Sequence, residues 1–293
     1  MAKDIFKPAL RQLAGKSQGL FGPISFQDYL KEHGLPASGT AESISIDSYE
    51  RLPNDLKDND TMILRLGESL KGTGTQFCLV KSKGCLSDFF LIDNDAFSDK
   101  EGSTFLPSAS IRQLFAYQLL PALSESSFVN LGLASGLISF ALGLSDQGEI
   151  AAPATGRSAF SFKLKAHTSL PDELEHRNGQ VEIDALFVGT RNGKEALFIV
   201  EAKSNVSDKS LAKHKLVYPI FAVAKSVPKD MPIVPVYMKI VEAPDGLHYD
   251  VVECEFPNPR KERRALNELT AKAHTHLILP NVMFGSAAGA KSF

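Results

Sequence analysis

The sequence predicts an α/β protein with a smaller α/β module at its N-terminus. Three observations carry that expectation. Two apolar runs flank Asn192-Gly193, the strongest short signal for a two-residue β-hairpin, because both turn residues need positive φ. From Ser108 onward, helical and strand patterns follow in the order helix, strand, strand, strand, helix, strand. Before that, a separate set of short strands and a capped helix ends at the polar stretch Asn94 to Gly102, which reads as a linker.

In the first module, residues 1–104, Ser25 is placed to cap a helix over Phe26 to His33 that Gly34 ends. Thr61 to Leu66, Gln76 to Lys81 and Asp88 to Ile92 read as strands. The second domain, residues 105–284, opens with helices over Ser108 to Leu123 and Phe128 to Leu144. Ser158 to His167 alternates as a strand, with Phe160, Phe162 and Leu164 on one face. After the hairpin, Asp208 to Ser226 reads as a helix kinked at Pro219. Ile233 to Val241 and His248 to Phe256 read as strands. Asn258-Pro259 starts a further helix, expected to run to about His274. Residues 285–293 are small and polar, as in a flexible tail.

Composition excludes little. With 293 residues, 43% of them hydrophobic and 23% charged, the chain is long enough for a full core. A net charge of −2 gives no global basic signature, so a nucleic-acid partner needs a local basic groove. Cys78, Cys85 and Cys254 lack zinc-type spacing; their odd number, with no signal peptide, points to a cytoplasmic protein. Ser126 to Ser145 is uncharged and contains Gly132-x-x-x-Gly136. Its polar residues and its flanks, Glu125 and Asp146, fit a buried helix on a sheet rather than a membrane span.

The hairpin makes a geometric claim. With Asn192 and Gly193 in the turn, Arg191 faces Lys194, Gly189 faces Ala196, Asp184 faces Glu201 and Glu182 faces Lys203. Residues two apart share a face, so Glu182, Asp184, Glu201 and Lys203 project together. Directly opposed residues have Cβ atoms roughly 4.5–5.5 Å apart. Two carboxylates that close repel unless a cation lies between them, and Mg²⁺ takes one or two carboxylates while leaving positions for water and phosphate.

An acid in one strand, then Asp or Glu, any residue and Lys at the end of the next, resembles the PD-(D/E)XK nucleases, the restriction-endonuclease-like superfamily. Asp184 matches the first acid and Glu201-Ala202-Lys203 the second half, with Ile183 where Pro often stands. The resemblance covers residues 105 to 255. It implies a mixed central sheet flanked by helices, with Asp184 and Glu201 holding Mg²⁺, or Mn²⁺ in its place, and the Ala202 carbonyl as a further ligand. Bound metal polarises the scissile phosphate and acidifies a water. Lys203 orients or deprotonates that water, or balances charge on phosphorus. Many members of the superfamily take another acid from the first core helix. Here Glu125 and Glu149 lie beyond that helix, and Glu182 is the expected substitute unless it pairs with Lys203.

Further candidates concern the substrate. Lys209, Lys213, His214 and Lys215 lie on the helix after the catalytic strand. His214 and Tyr218 share a face there, where some superfamily branches carry Gln and Tyr. Arg260, Lys261, Arg263 and Arg264 form the densest basic cluster. Both groups read either as phosphate contacts or as solvated faces. His274-x-His276, followed by Pro280-Asn281, has a metal-binding flavour but no visible partner.

The activity the resemblance implies is Mg²⁺-dependent cleavage of double-stranded DNA, in a restriction or phage-defence setting. A duplex break needs two cuts, hence a homodimer. By analogy alone the first module serves target recognition. Two other classes remain open: an inactive nuclease-like scaffold for DNA or protein, and a nuclease acting on RNA or repair intermediates.

Overall fold

A computed structural model describes residues 5–280 except 16–18, 37–38, 71–72, 82–83, 99–100, 108–110, 146–149 and 262. The expected tail 285–293, Glu149 and Asn281 lie outside the described residues.

The N-terminal elements are helix α1 (Lys7–Ala14), strand β1 (Leu20–Ser25), helices α2 (Phe26–Glu32), α3 (Thr40–Ile44) and α4 (Asn54–Lys57), and strands β2 (Thr61–Glu68) and β3 (Thr75–Lys81). As expected, Ser25 caps α2, its hydroxyl accepting the Asp28 N–H at 3.2 Å. Strand β4 (Phe90–Ile92), helix α5 (Asp93–Ala96) and the short strand β5 (Ser103–Thr104) follow. A 3₁₀ turn over Leu86–Phe89 replaces the start of the strand expected from Asp88.

Helices α6 (Ile111–Gln118), α7 (Glu125–Ala134) and α8 (Leu137–Ala141) form one layer. The helix expected over Phe128 to Leu144 breaks at Gly136, whose φ of 82° is left-handed. Strands β6 (Ala154–Lys165), β7 (Glu173–Arg191) and β8 (Lys194–Lys203) come next. The hairpin turns at Asn192 and Gly193, with φ of 53° and 73°. Its register is the expected one from Arg191↔Lys194 to Ala185↔Val200.

The chain ends with strand β9 (Ser210–Ala212), helix α9 (His214–Val223) and strands β10 (Ile233–Ala243), β11 (Gly246–Glu255) and β12 (Thr270–Pro280). Two expectations fail here. The helix assigned from Asp208 begins only at His214, because residues 210–212 pair with β4. The helix assigned from Asn258 to His274 is absent. Arg263 takes a left-handed φ of 64°, and Thr270 onward pairs with β11 along its length. Tertiary strand pairing overrides the local helix-start signal.

The result is a mixed α/β architecture. One sheet runs in the order β1-β3-β2-β7-β8-β10-β11-β12-β5, with β6 added on β7. β8 and β10 are parallel, while β7/β8, β10/β11 and β11/β12 are antiparallel. Helices α6–α8 cover one face over a core that includes Phe128, Leu137, Phe198 and Met238. On the other face, α9 and the N-terminal elements share a single core running from Ile5 to Leu269. The described N-terminal strands thus join the sheet of the remainder, through β2 against β7 at Gly67↔Arg177. Among the described residues, no helix is long and apolar enough to cross a membrane.

Candidate active site

The pairing of β7 with β8 ends in the middle of β7, at Ala185↔Val200. β6 pairs with β7 from Glu173 to Leu186, with an irregularity between Ile183 and Leu186. Asp184 sits just past the end of the β7/β8 ladder. There its side chain takes over as acceptor: Asp184 Oδ2 accepts the Ala202 N–H at 2.9 Å. A backbone donor in a buried strand needs a partner, and this carboxylate supplies it.

Glu201 is 1% exposed on β8. Its Oε1 lies 2.9 Å from Lys203 Nζ and 3.3 Å from Lys215 Nζ, both as ion pairs without the alignment of a hydrogen bond. Lys203 also faces Glu125, Nζ to Oε2 at 3.6 Å, while Glu125 Oε1 accepts the Ser204 N–H at 3.1 Å. Glu125 reaches the end of β8 because Ser124 caps α7 there, and an acid in the first turn suits the helix dipole. Lys215, in the first turn of α9, also approaches Asp47 at 3.8 Å. Hence two helix N-termini, the carboxyl end of β8 and the N-terminal elements converge on one cluster. The carboxyl ends of parallel strands are where open α/β sheets bind ligands.

Burial pushes the Glu201 carboxyl above the ordinary glutamate range, and the Lys215 and Lys203 ammoniums draw it part of the way back. Burial likewise raises Asp184, against the Ala202 hydrogen bond and the two lysines. For Lys203, burial alone would lower the pKa. Glu201, Glu125 and Asp184 together outweigh it, so the ammonium is held above the usual lysine value. Lys203 is therefore a cation at neutral pH.

A family model described as a domain of unknown function, DUF6997, matches residues 94–274, more than half of the chain. The chain belongs to the DUF6997 family. No curated protein and no solved structure matches it. The matched span of this DUF6997 protein contains Glu125, Asp184, Glu201, Lys203 and Lys215, whereas Asp47 lies before it.

The DUF6997 fold separates the other expected residues. Glu182 does not face Lys203: β6 pairs it with Arg157, and its Oε1 takes Arg157 Nη2 at 2.9 Å on the surface. Lys213 is buried, its Nζ 3.5 Å from the Asn267 carbonyl, and Tyr218 is buried with its hydroxyl donating to the Arg65 carbonyl at 3.1 Å. Both therefore serve the interior rather than a solvent face. His214 and Tyr218 do share a face, with ring centroids 5.3 Å apart. Arg260 donates to the carbonyls of Val227, Pro228 and Met231, and Arg264 pairs with Glu268 at 2.9 Å. Of that cluster Lys261 and Arg263 are exposed, beside Lys225 and Lys229 on one cleft.

Among the described residues, no three His, Cys, Asp or Glu side chains form a ready-made ion cage. Asp184 and Glu201 nevertheless suit Mg²⁺, which binds through one or two carboxylates and keeps water and phosphate for its other positions. Four carboxylates, Asp47, Glu125, Asp184 and Glu201, meet two ammoniums in the cluster, and buried Glu201 Oε1 accepts no hydrogen bond among the described residues. A divalent cation would offset that excess negative charge. From the sequence, Lys215 is expected only as a phosphate contact and Glu125 only as an acid beyond the first core helix; Asp47 is not identified. Glu125 carries one local signal, as the acid after a capping Ser at the start of a helix.

Proposed function

We propose that this chain is a Mg²⁺-dependent phosphodiester hydrolase acting on DNA. The observation that carries the reading is the cluster of Asp184, Glu201 and Lys203 at the carboxyl end of β8, completed by Glu125. Asp184 and Glu201 would hold the metal, which when bound supplies Lewis-acid polarisation of a phosphate oxygen and an acidified water. Lys203, kept protonated by its carboxylates, stabilises the charge that develops on the phosphorane oxygens. A protonated ammonium cannot serve as a base, so charge balance is its favoured role.

Beside the cluster is a cavity of about 260 Å³ lined by Arg65, Arg157, His176, His214, Lys215 and Tyr218. Arg65 has no carboxylate partner among the described residues. Burial, and then the neighbouring Arg157, lower its pKa. Arg157 is paired with Glu182, which lines the cavity with Asp47, so Arg65 is the cation there best placed to accept a phosphate. The family resemblance adds a restriction or phage-defence role, and two cuts per duplex add a homodimer.

Incubation with unmethylated plasmid or phage DNA and Mg²⁺, against an EDTA control, tests the activity. Discrete fragments indicate a site-specific enzyme and a smear a nonspecific one. Cleavage of RNA alone would move the substrate class. No cleavage of either would leave a nuclease-like scaffold.

A further inference from the structure

The paired strands β11 and β12 place His248, Asp250, His274 and His276 on one face of the sheet. The register sets Asp250 opposite His276 and His248 opposite Ile278, so His248 and His276 are diagonal neighbours. Their rings meet nitrogen to nitrogen, with His248 Nδ1 3.1 Å from His276 Nε2. The outer nitrogen of each ring faces a carboxylate. His248 Nε2 is 2.8 Å from Asp245 Oδ1, and His276 Nδ1 is 3.9 Å from Asp250 Oδ1. The two side chains are 23% and 20% exposed, so solvent reaches them.

A carboxylate only accepts, so it favours a proton on the ring nitrogen that faces it. A neutral imidazole with its proton there carries a lone pair on the other nitrogen. With both outer nitrogens protonated, the two lone pairs converge on the gap between the rings, 3.1 Å apart, where a cation would hold them; with one ring in the other tautomer the same pair is an N–H···N hydrogen bond. Two imidazoles on one tetrahedral ion, with metal–nitrogen bonds of about 2.0–2.1 Å, hold their nitrogens about 3.3 Å apart. The observed spacing is within a few tenths of an ångström of that.

We propose that His248 Nδ1 and His276 Nε2 form a binding site for a late first-row divalent ion of the Zn²⁺ or Ni²⁺ class. Water completes the coordination, and Asp245 and Asp250 orient the rings. Imidazole selects such ions over Mg²⁺. His274 stays outside the site: its Nε2 is on Asp250 at 2.9 Å, and its Nδ1 accepts the Ser98 N–H at 2.9 Å. The site lies along one row of the sheet from Lys203, through Lys239 and Asp250 to His276. Three strand spacings make that about 14 Å. This is far beyond the about 4 Å between ions in a two-metal catalytic centre, so the proposal does not depend on the activity.

Calorimetric titration of the full chain with Zn²⁺, paired with NMR of the histidine rings, tests it. With excess Mg²⁺ present to occupy Asp184 and Glu201, wild type is expected to bind one equivalent of Zn²⁺, shifting the ring signals of His248 and His276. His248→Gln and His276→Ala should each weaken binding at least tenfold with unchanged circular dichroism, and Asp245→Asn a few-fold. Asp184→Ala should leave Zn²⁺ affinity unchanged. The site is refuted if wild type takes up no Zn²⁺ or its two ring signals do not move. Equal affinity in His248→Gln, or loss of binding in Asp184→Ala, would refute it as well.

Discussion

The carboxylate of Asp184 accepts the backbone N–H of Ala202 across the hairpin, at the residue just past the end of the β7/β8 ladder. The same side chain therefore satisfies a strand end and carries a charge that burial disfavours. Asp184→Asn keeps an oxygen acceptor and removes the charge. Because the folded-state pKa of Asp184 is raised, its contribution to stability is complete below the ordinary aspartate range and is lost as pH rises through the raised value. In EDTA the Asn variant should melt at or above wild type near neutral pH, by up to about 1 kcal/mol, with a flatter pH profile from acid to neutral. DNA cleavage should vanish. A variant whose melting is steeper with pH than wild type would contradict the assignment.

Lys203→Ala separates enzyme from scaffold. It leaves both metal-binding carboxylates and removes a cation that acts mainly in the transition state. Turnover should fall to near zero with DNA affinity within a few-fold, since such losses appear in kcat rather than in binding. Cleavage at the wild-type rate would remove Lys203 from the reaction.

Glu125 and Glu182 give opposite expectations. Glu125 touches Lys203, whereas Glu182 is on the surface with Arg157. Glu125→Gln should slow cleavage at least tenfold, because it also releases the ammonium from one of its carboxylates. Glu182→Gln should change the rate less than about threefold, as exposed pairs contribute little. Single-turnover kinetics on the two variants decide between them.

Gly67 joins the N-terminal strands to the rest of the sheet. It has a φ of 80°, and a Cβ there would lie 2.2 Å from the Arg177 carbonyl oxygen. Gly67→Ala should cost more than about 2 kcal/mol, from strain and from separation of β2 from β7. Denaturant unfolding with an unchanged midpoint would show that this junction does not hold the two parts together.

His176 is stacked on Phe162 at 4.5 Å, with Nδ1 donating to the Phe160 carbonyl at 3.2 Å. Burial, helped by Arg65, pushes its pKa down to about 4. The neutral ring is the folded form. Its stabilisation is thus complete above about pH 6.5 and is lost as pH falls toward the folded value. Melting temperature should drop as pH falls from 6.5 to 4, and the His176 ring signal should not titrate above about pH 5. A His176 that titrates near 6.5 would overturn this.

Much of the site was legible in the sequence because its signals are local. Asn192-Gly193 specifies a two-residue turn, a two-residue turn specifies register, and register brings Asp184 to the strand bearing Glu201 and Lys203. The same logic misplaced Glu182. It extended the ladder past Ala185, where the pairing with β8 ends and Glu182 lies instead beside Arg157 of β6, a partner the turn does not specify. The missed helix boundary at His214 and the false helix before β12 share that cause: β9 and β12 are strands because β4 and β11 are there to pair with them.

The sequence by itself determined the α/β class, the hairpin and its acid–acid–lysine constellation, since turn chemistry and side-chain alternation act within about twenty residues. Only the tertiary structure decided that Glu125, Lys215 and Asp47 join that constellation and that His248 meets His276. It also decided that the N-terminal strands β1–β3 share the sheet. Those contacts join segments far apart in the chain. They form because burying two cores against a common sheet favours them, a free energy that no local pattern encodes.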